Sequence, residues 1–331
     1  MELPQTLSMS AVSSTLGIFE RKKKRDVHLG DRIFFWVLRL LAIGVMLLLL
    51  GITLNLLRVS FPIFSKFGLS YFVTNTWNPV TEKFGAGAFI YGTVVSSLIA
   101  LVISVPISIG VSVFLTELAP RRLAEAVGFL VEMLAAIPSV VYGLWGIFVL
   151  APWLRTTLQP ALASTFGFLP LFQGPPYGIG MLTAGIILAI MISPTISAIC
   201  REVFKAISLQ QREAALALGA TRWETISLAV LKSSFSGIFG AVILGLGRAL
   251  GETMAVTMVI GNRADISASL FAPGQTMASV IANEYAEATS DMHLAALSAV
   301  GLALFLVSFL INSSARFLVW RATRKSKGAR A

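Results

Sequence analysis

This sequence holds one cysteine, Cys200, and two histidines, His28 and His293, in 331 residues. A single thiol excludes an intramolecular disulfide, and two histidines so far apart make no local ligand cluster, so neither a metal nor a cofactor is expected. Charge is scarce as well. Only 13% of the residues are charged, against about 25% in an ordinary soluble domain. There is no Gly-Lys dipeptide anywhere, which excludes the phosphate-binding loop of a nucleotide hydrolase, since that loop requires a Gly-Lys-Ser/Thr step. The chain is therefore not expected to be an enzyme. No repeat recurs at a fixed spacing and no two halves carry matching broken helices, which disfavours an inverted-repeat secondary transporter.

What the chain does have is apolar length. Hydrophobic residues make up 56% of it, and mean hydropathy is +0.82. About 20 apolar residues cross a hydrocarbon core roughly 30 Å thick, and six stretches qualify, near 33–57, 87–116, 123–150, 178–199, 237–261 and 294–318. The first follows the run Arg21 to Arg25 and is too long for the apolar part of a signal peptide, so it reads as an uncleaved span. The expectation is an all-α membrane protein of six transmembrane helices at 33–318, with an N-terminal tail at 1–32 and a basic C-terminal tail at 319–331.

Net charge is +10, and the location of the basic residues decides its meaning. They lie in short segments between apolar runs with no aromatic interleaving, which argues against a nucleic-acid surface. Six spans place both termini on one side. The segments on that side hold 19 Lys and Arg against 5 on the other, so both termini are expected in the cytoplasm. Pro106, Pro138 and Pro194 fall inside apolar stretches, where each removes a backbone hydrogen bond and favours a bend. Pro138, with Ser139 and Tyr142 after it, is held as a gate or a structural kink.

The longest inner loop, about 201–236, contains Arg212-Glu213-Ala214-Ala215-Leu216-Ala217-Leu218-Gly219. It reads as a helix, a glycine break and a second helix from Trp223 to Leu231, because alanine favours helix and glycine readily takes the left-handed conformation that ends one. Small side chains suit docking in a partner's groove, with Arg212, Glu213, Arg222 and Glu224 at its rim. A connector lying on the bilayer surface fits the same residues. In the fifth stretch, Arg248 falls about 18 Å from Ser236 by helical rise, near mid-membrane. A charge there costs about 2.5–3.5 kcal/mol, so it must face protein or water. Arg248 and Glu252, four apart, share a helix face and can pair, and Gly247 with Gly251 admits another helix closely. The pair reads either as a structural ion pair or as a charged step on an anion path, the default for intramembrane ionisable residues.

Glu213-Ala214-Ala215, three residues, then Gly219 resembles the EAA motif of importer permeases of the ATP-binding cassette class, although Ala229 and Leu231-Lys232 depart from the Ile and Leu-Pro that usually follow. The runs 132–143, 174–178 and 247–262 are similar to the phosphate-specific family of these permeases, and Met254-Ala255-Val256 resembles its PstC type rather than the PstA type. The resemblance covers roughly 30–320. It implies a MetI-like fold and a bacterial inner-membrane transport subunit. It implies ATPase coupling through Glu213, Ala214, Ala215 and Gly219, and a translocation path that includes Arg248 and Glu252. The implied partners are a sister permease of PstA type, an ATP-binding subunit dimer of PstB type, a periplasmic phosphate-binding protein of PstS type, phosphate and membrane lipid. A permease for sulfate or molybdate, and more remotely a self-contained secondary transporter or channel, are the rival readings.

Overall fold

The computed structural model describes residues 29–328, so most of the expected tail at 1–32 and the last residues of the tail at 319–331 lie outside the described residues. Among the described residues there is no strand beyond one isolated bridge between Asn78 and Lys83. Five helices are long and apolar enough to cross a membrane, or six if one bent pair counts as a single span.

Two compact units divide at Leu54, within the first helix, α1 (Leu29–Phe67). In the first unit Leu40, Leu47 and Leu54 are all more than half exposed. A helix apolar on every side and uncovered by protein is suited to lipid.

The second unit is built around α2 (Gly87–Val113, running on through a π-helical turn Phe114–Leu118) and α5 (Met181–Lys205). On α2, Ala100, Ser104, Ser108 and Ser112 are buried at four-residue spacing, one face of a helix with no large side chain on it. That face lets α5 come close enough for side-chain hydroxyls to reach backbone. Ser108 Oγ donates to Ser193 O at 3.1 Å, Ser112 Oγ to Ser197 O at 2.9 Å, and Ser197 Oγ returns to Ser108 O at 3.4 Å. Both helices run through their prolines, Pro106 and Pro194. Ile187, Leu188, Met191, Ile192 and Ile196 of α5 are fully buried and form the centre of the core.

Four boundaries differ from the sequence expectation. α1 runs to Phe67 rather than ending near 57. The stretch 123–150 is not one helix. α3 (Arg121–Ala135) stops before Pro138, and the span is instead α4 (Ser139–Phe166), which continues through two π-helical turns. Pro138 has no N–H to give and drives Ile137 out of helical conformation, so the apolar run divides there. The fifth stretch divides at Gly251: α8 (Phe235–Gly251) ends there rather than near 261 and is followed by a short α9 (Met254–Val259), and the second helix expected in the inner loop, α7 (Arg222–Leu231), meets α8 at 69°. The last helix, α11 (Asp291–Gly328), is longer than expected and packs on α8 and on α10 (Met277–Glu284).

A second core joins Ile63, Tyr71, Phe84 and Phe89 to Ala296, Ala299 and Val300 of α11. Its polar members satisfy one another: Tyr71 donates to Ala296 O, and Glu284 takes the Trp77 indole N–H at 2.8 Å beside His293 at 3.0 Å.

Close packing predicts which glycines tolerate a side chain. A Cβ on Gly92 would sit 2.1 Å from Gln275 O, a backbone atom, whereas one on Gly247 meets nothing within 4 Å. Gly92→Ala should therefore lose about 1–3 kcal/mol of stability, the cost of overpacking, and Gly247→Ala should lose none. Thermal aggregation midpoints of the tagged protein in detergent check both.

Candidate functional site

Two places carry polar chemistry that an apolar bundle does not need. The first is the broken end of α8. The last helical residue is Gly251, and Glu252 is extended at φ −68° and ψ 126°, so the turn that would have set its side chain below Arg248 is missing. Glu252 Oε1 instead accepts the Ala255 N–H at 3.3 Å, at the start of α9, where unpaired N–H groups favour a carboxylate. Arg248 turns to α5 and donates from Nη1 to Thr195 Oγ1 at 3.0 Å. The two charges do not share a helix face and form no ion pair. Among the described residues no carboxylate lies within ion-pair distance of Arg248.

The surroundings come from α4. Gly143 packs its bare backbone on Ala255 and Met258, and Gly146 packs on Val259 and Ile187, since a Cβ at either position would lie within about 3 Å of those atoms. On the same turn the Tyr142 hydroxyl donates to Leu134 O at 2.8 Å and so bridges the break at Pro138. Pro138 and Ser139 thus open α4 at a break whose freed carbonyl is held by Tyr142. Gly247 and Gly251 are exposed, with nothing within 4 Å of where a side chain would begin, and Gly247 borders a cavity whose far wall includes Phe305 and Phe309 of α11, so no helix of this chain packs closely on either glycine.

Around this site, the loop before α5 is tied to the one after α9. Gly180 N–H donates to Val259 O at 2.9 Å, Met181 N–H to Ala272 O at 3.1 Å and Leu182 N–H to Leu270 O at 2.8 Å. Gly180, at φ +146°, sits so near the carbonyls of Phe271 and Ala272 that no side chain fits.

The second place is the loop after α5. α6 (Leu209–Ala217) ends at Gly219, which is left-handed at φ +86°, and Thr221 with Glu224 forms a capping box that starts α7. The expected helix, glycine break and second helix are all present. Glu213, Ala214 and Gly219 are exposed and Ala215 is half-buried, alongside Leu209, Leu216, Leu218 and Trp223, all of which are exposed. Apolar surface gathered on a short loop is the mark of a contact face. Arg212 differs from expectation. It points inward, donating to Ile207 O at 2.7 Å, Phe204 O at 2.9 Å and Glu117 Oε1 at 2.8 Å. Glu117 and Thr195 were not singled out from the sequence, because nothing local marks a residue whose partner is 95 or 53 positions away.

Comparison with known proteins agrees with this architecture. Residues 107–324 match the family described as binding-protein-dependent transport system inner membrane component, and the chain belongs to that family. It is a transport permease subunit of the ATP-binding cassette importer class, all-α and membrane-embedded, and not an enzyme. A phosphate transport system permease protein PstC from Mesorhizobium japonicum is 49% identical over 320 residues, spanning 95% of this chain and 98% of the relative. Two solved structures, each 16% identical, share the fold. One is an inward-facing MetNI methionine transporter (TM-score 0.54, 74% of this chain and 99% of that one). The other is a bacterial importer of the acidic polysaccharide alginate (TM-score 0.57, 88% and 98%).

The Tyr142 bridge gives a prediction. Tyr142→Phe removes one hydroxyl and leaves Leu134 O with the longer Ile137 N–H contact at 3.4 Å, at a cost of about 0.5–1.5 kcal/mol. The variant should lose thermal stability in detergent, whereas Tyr177→Phe, at an exposed position, should not.

Proposed function

We propose that this chain is the membrane-spanning permease subunit of an ATP-driven phosphate importer, as in the PstC relative it matches almost end to end. It works with a sister permease of PstA type, an ATPase dimer of PstB type and a periplasmic phosphate-binding protein of PstS type. In this reading both termini are cytoplasmic, supported by the 19 to 5 distribution of basic residues. The loop from α6 to α7 then faces the ATPase. Energy input is needed, because bringing an anion in against an inside-negative potential costs about 2.3 kcal/mol per charge per 100 mV.

The single observation that carries the mechanism is that Arg248 is held by a neutral hydroxyl, Thr195, and by no carboxylate. A buried arginine paired to a glutamate would be electrically spent. Arg248 keeps its positive charge available to a passing anion, and four of its guanidinium N–H donors remain for phosphate oxygens. Glu252 is displaced to the start of α9, where it accepts the Ala255 N–H. The path is completed by the sister subunit against the open face at Gly247 and Gly251. Motion of the ATPase subunits pushes on α6 and changes which side of the membrane reaches Arg248.

In the assembled complex, Arg248→Gln should lower phosphate uptake per complex by roughly 10- to 100-fold, the scale of one charge-assisted hydrogen bond. Adding Glu252→Gln should not restore it, because the two are not paired. Full recovery in the double variant would assign the arginine a structural role, and equal uptake of sulfate and phosphate would point to a broader oxyanion permease.

The loop gives a separate expectation. A side chain at Gly219 meets no atom but must adopt φ +86°, which costs about 1–2 kcal/mol. Gly219→Val, and Ala215→Trp on the half-buried face of α6, should insert normally yet copurify less ATPase. Unchanged copurification together with normal uptake in both would reject coupling through this loop.

A further inference from the structure

We infer that Arg212 and Glu117 form the pin that makes the coupling loop move as one body with the membrane helices; this rests on the ATP-driven reading above. One guanidinium joins three segments. Its own helix is α6; its acceptors Phe204 O and Ile207 O belong to the end of α5 and the turn after it; and Glu117 sits in the π-helical turn that closes α2. The last carbonyls of a helix have no partner within it and carry partial negative charge, so a guanidinium is well placed there. The three acceptors, at 2.7–2.9 Å, are divided between the two terminal nitrogens of one planar fork, a spread that lysine's single nitrogen does not reproduce. The Arg212 and Glu117 side chains are 20% and 12% exposed, which shields the pair from screening by salt.

The rest of α6 has no comparable tie to the spans. None of its residues is buried, and its main packing is on α7 and the π-helical turn that continues it to Leu231, within the same loop. A push on such a helix would be absorbed by bending at Ser208 or at Gly219. With the pin in place, displacement of α6 is passed to α5 and α2 together. α5 carries Thr195, the partner of Arg248, so one continuous helix links the pinned loop to the central arginine. The π-helical turn at Phe114–Leu118 belongs to the same device, since such turns re-aim a side chain within a helix and recur at functional positions.

A bridge that merely folds the loop would have the same contacts, so the test must read transmission and not only assembly. The complete complex, with sister permease and ATPase subunits, is placed in lipid nanodiscs. The chain carries Cys200→Ser and Met254→Cys, a reporter at the exposed residue beside the break after α8. The reaction rate of that cysteine with a water-soluble maleimide is measured with and without ATP, alongside ATP hydrolysis. The native pair should show an ATP-dependent change in rate. In Arg212→Lys and Glu117→Gln, ATP hydrolysis should persist while the change in rate shrinks by roughly 5-fold or more, the lower end of a typical coupling between sites. A response that persists undiminished in both variants overturns the pin and leaves the importer reading intact. No response with the native pair overturns the ATP-driven reading and the pin with it. If either single variant strands a charge and fails to assemble, Arg212→Gln with Glu117→Gln, which leaves none, takes its place. Assembly with loss of the response then supports the pin, and failure of the double variant to assemble shows a purely structural bridge and overturns it.

Discussion

In hydrocarbon no water is present to pair with an exposed N–H or C=O, so every backbone polar group has to find its partner inside the protein. The structure depends on this constraint wherever a helix stops short of the bilayer surface. α4 begins after a break at Pro138, and Tyr142 answers the carbonyl of Leu134. α8 ends at Gly251, and Glu252 answers the N–H of Ala255 at the start of α9. Along the seam of α2 and α5, serine hydroxyls take up carbonyls of the opposite helix. At these three places a side chain supplies the partner that the regular helix would have given or that the facing helix needs.

That same constraint separates the functional charges. An unbroken α8 would have set Glu252 under Arg248 and neutralised it. The break turns the carboxylate to backbone and leaves the arginine with a neutral hydroxyl as its side-chain partner. α5 is the element that connects the parts: it is the most buried of the spans, it presents Thr195 to Arg248, and the carbonyl of Phe204 near its end holds Arg212.

The class of fold and the layout of the loop could be read from the sequence, because both follow from local signals. Apolar length marks spans, and Glu213-Ala214-Ala215 followed by Gly219 marks two helices joined by a left-handed residue. What could not be read depends on contacts across the chain. Helical spacing brought Arg248 and Glu252 together only as long as the helix was assumed to continue, and no residue between Gly251 and Met254 is a strong breaker in isolation. Pro138 did announce its break, but the apolar run on both sides of it concealed that α3 and α4 are separate. Arg212 was read as a rim residue of the loop because its acceptors lie on α2 and at the end of α5.

Gly247 and Gly251 have no atom of their own chain against the position where a side chain would begin. Within one polypeptide, a substitution is tested by the residues it collides with, and compensating changes arise in the same gene. At these two positions the first atom of a side chain meets none of the chain's own atoms, and only a larger one at Gly247 would enter the space bordered by Phe305 and Phe309 of α11. In the proposed importer the remaining open side is covered by the sister subunit, and selection for smallness there would leave its record as correlated variation between two genes.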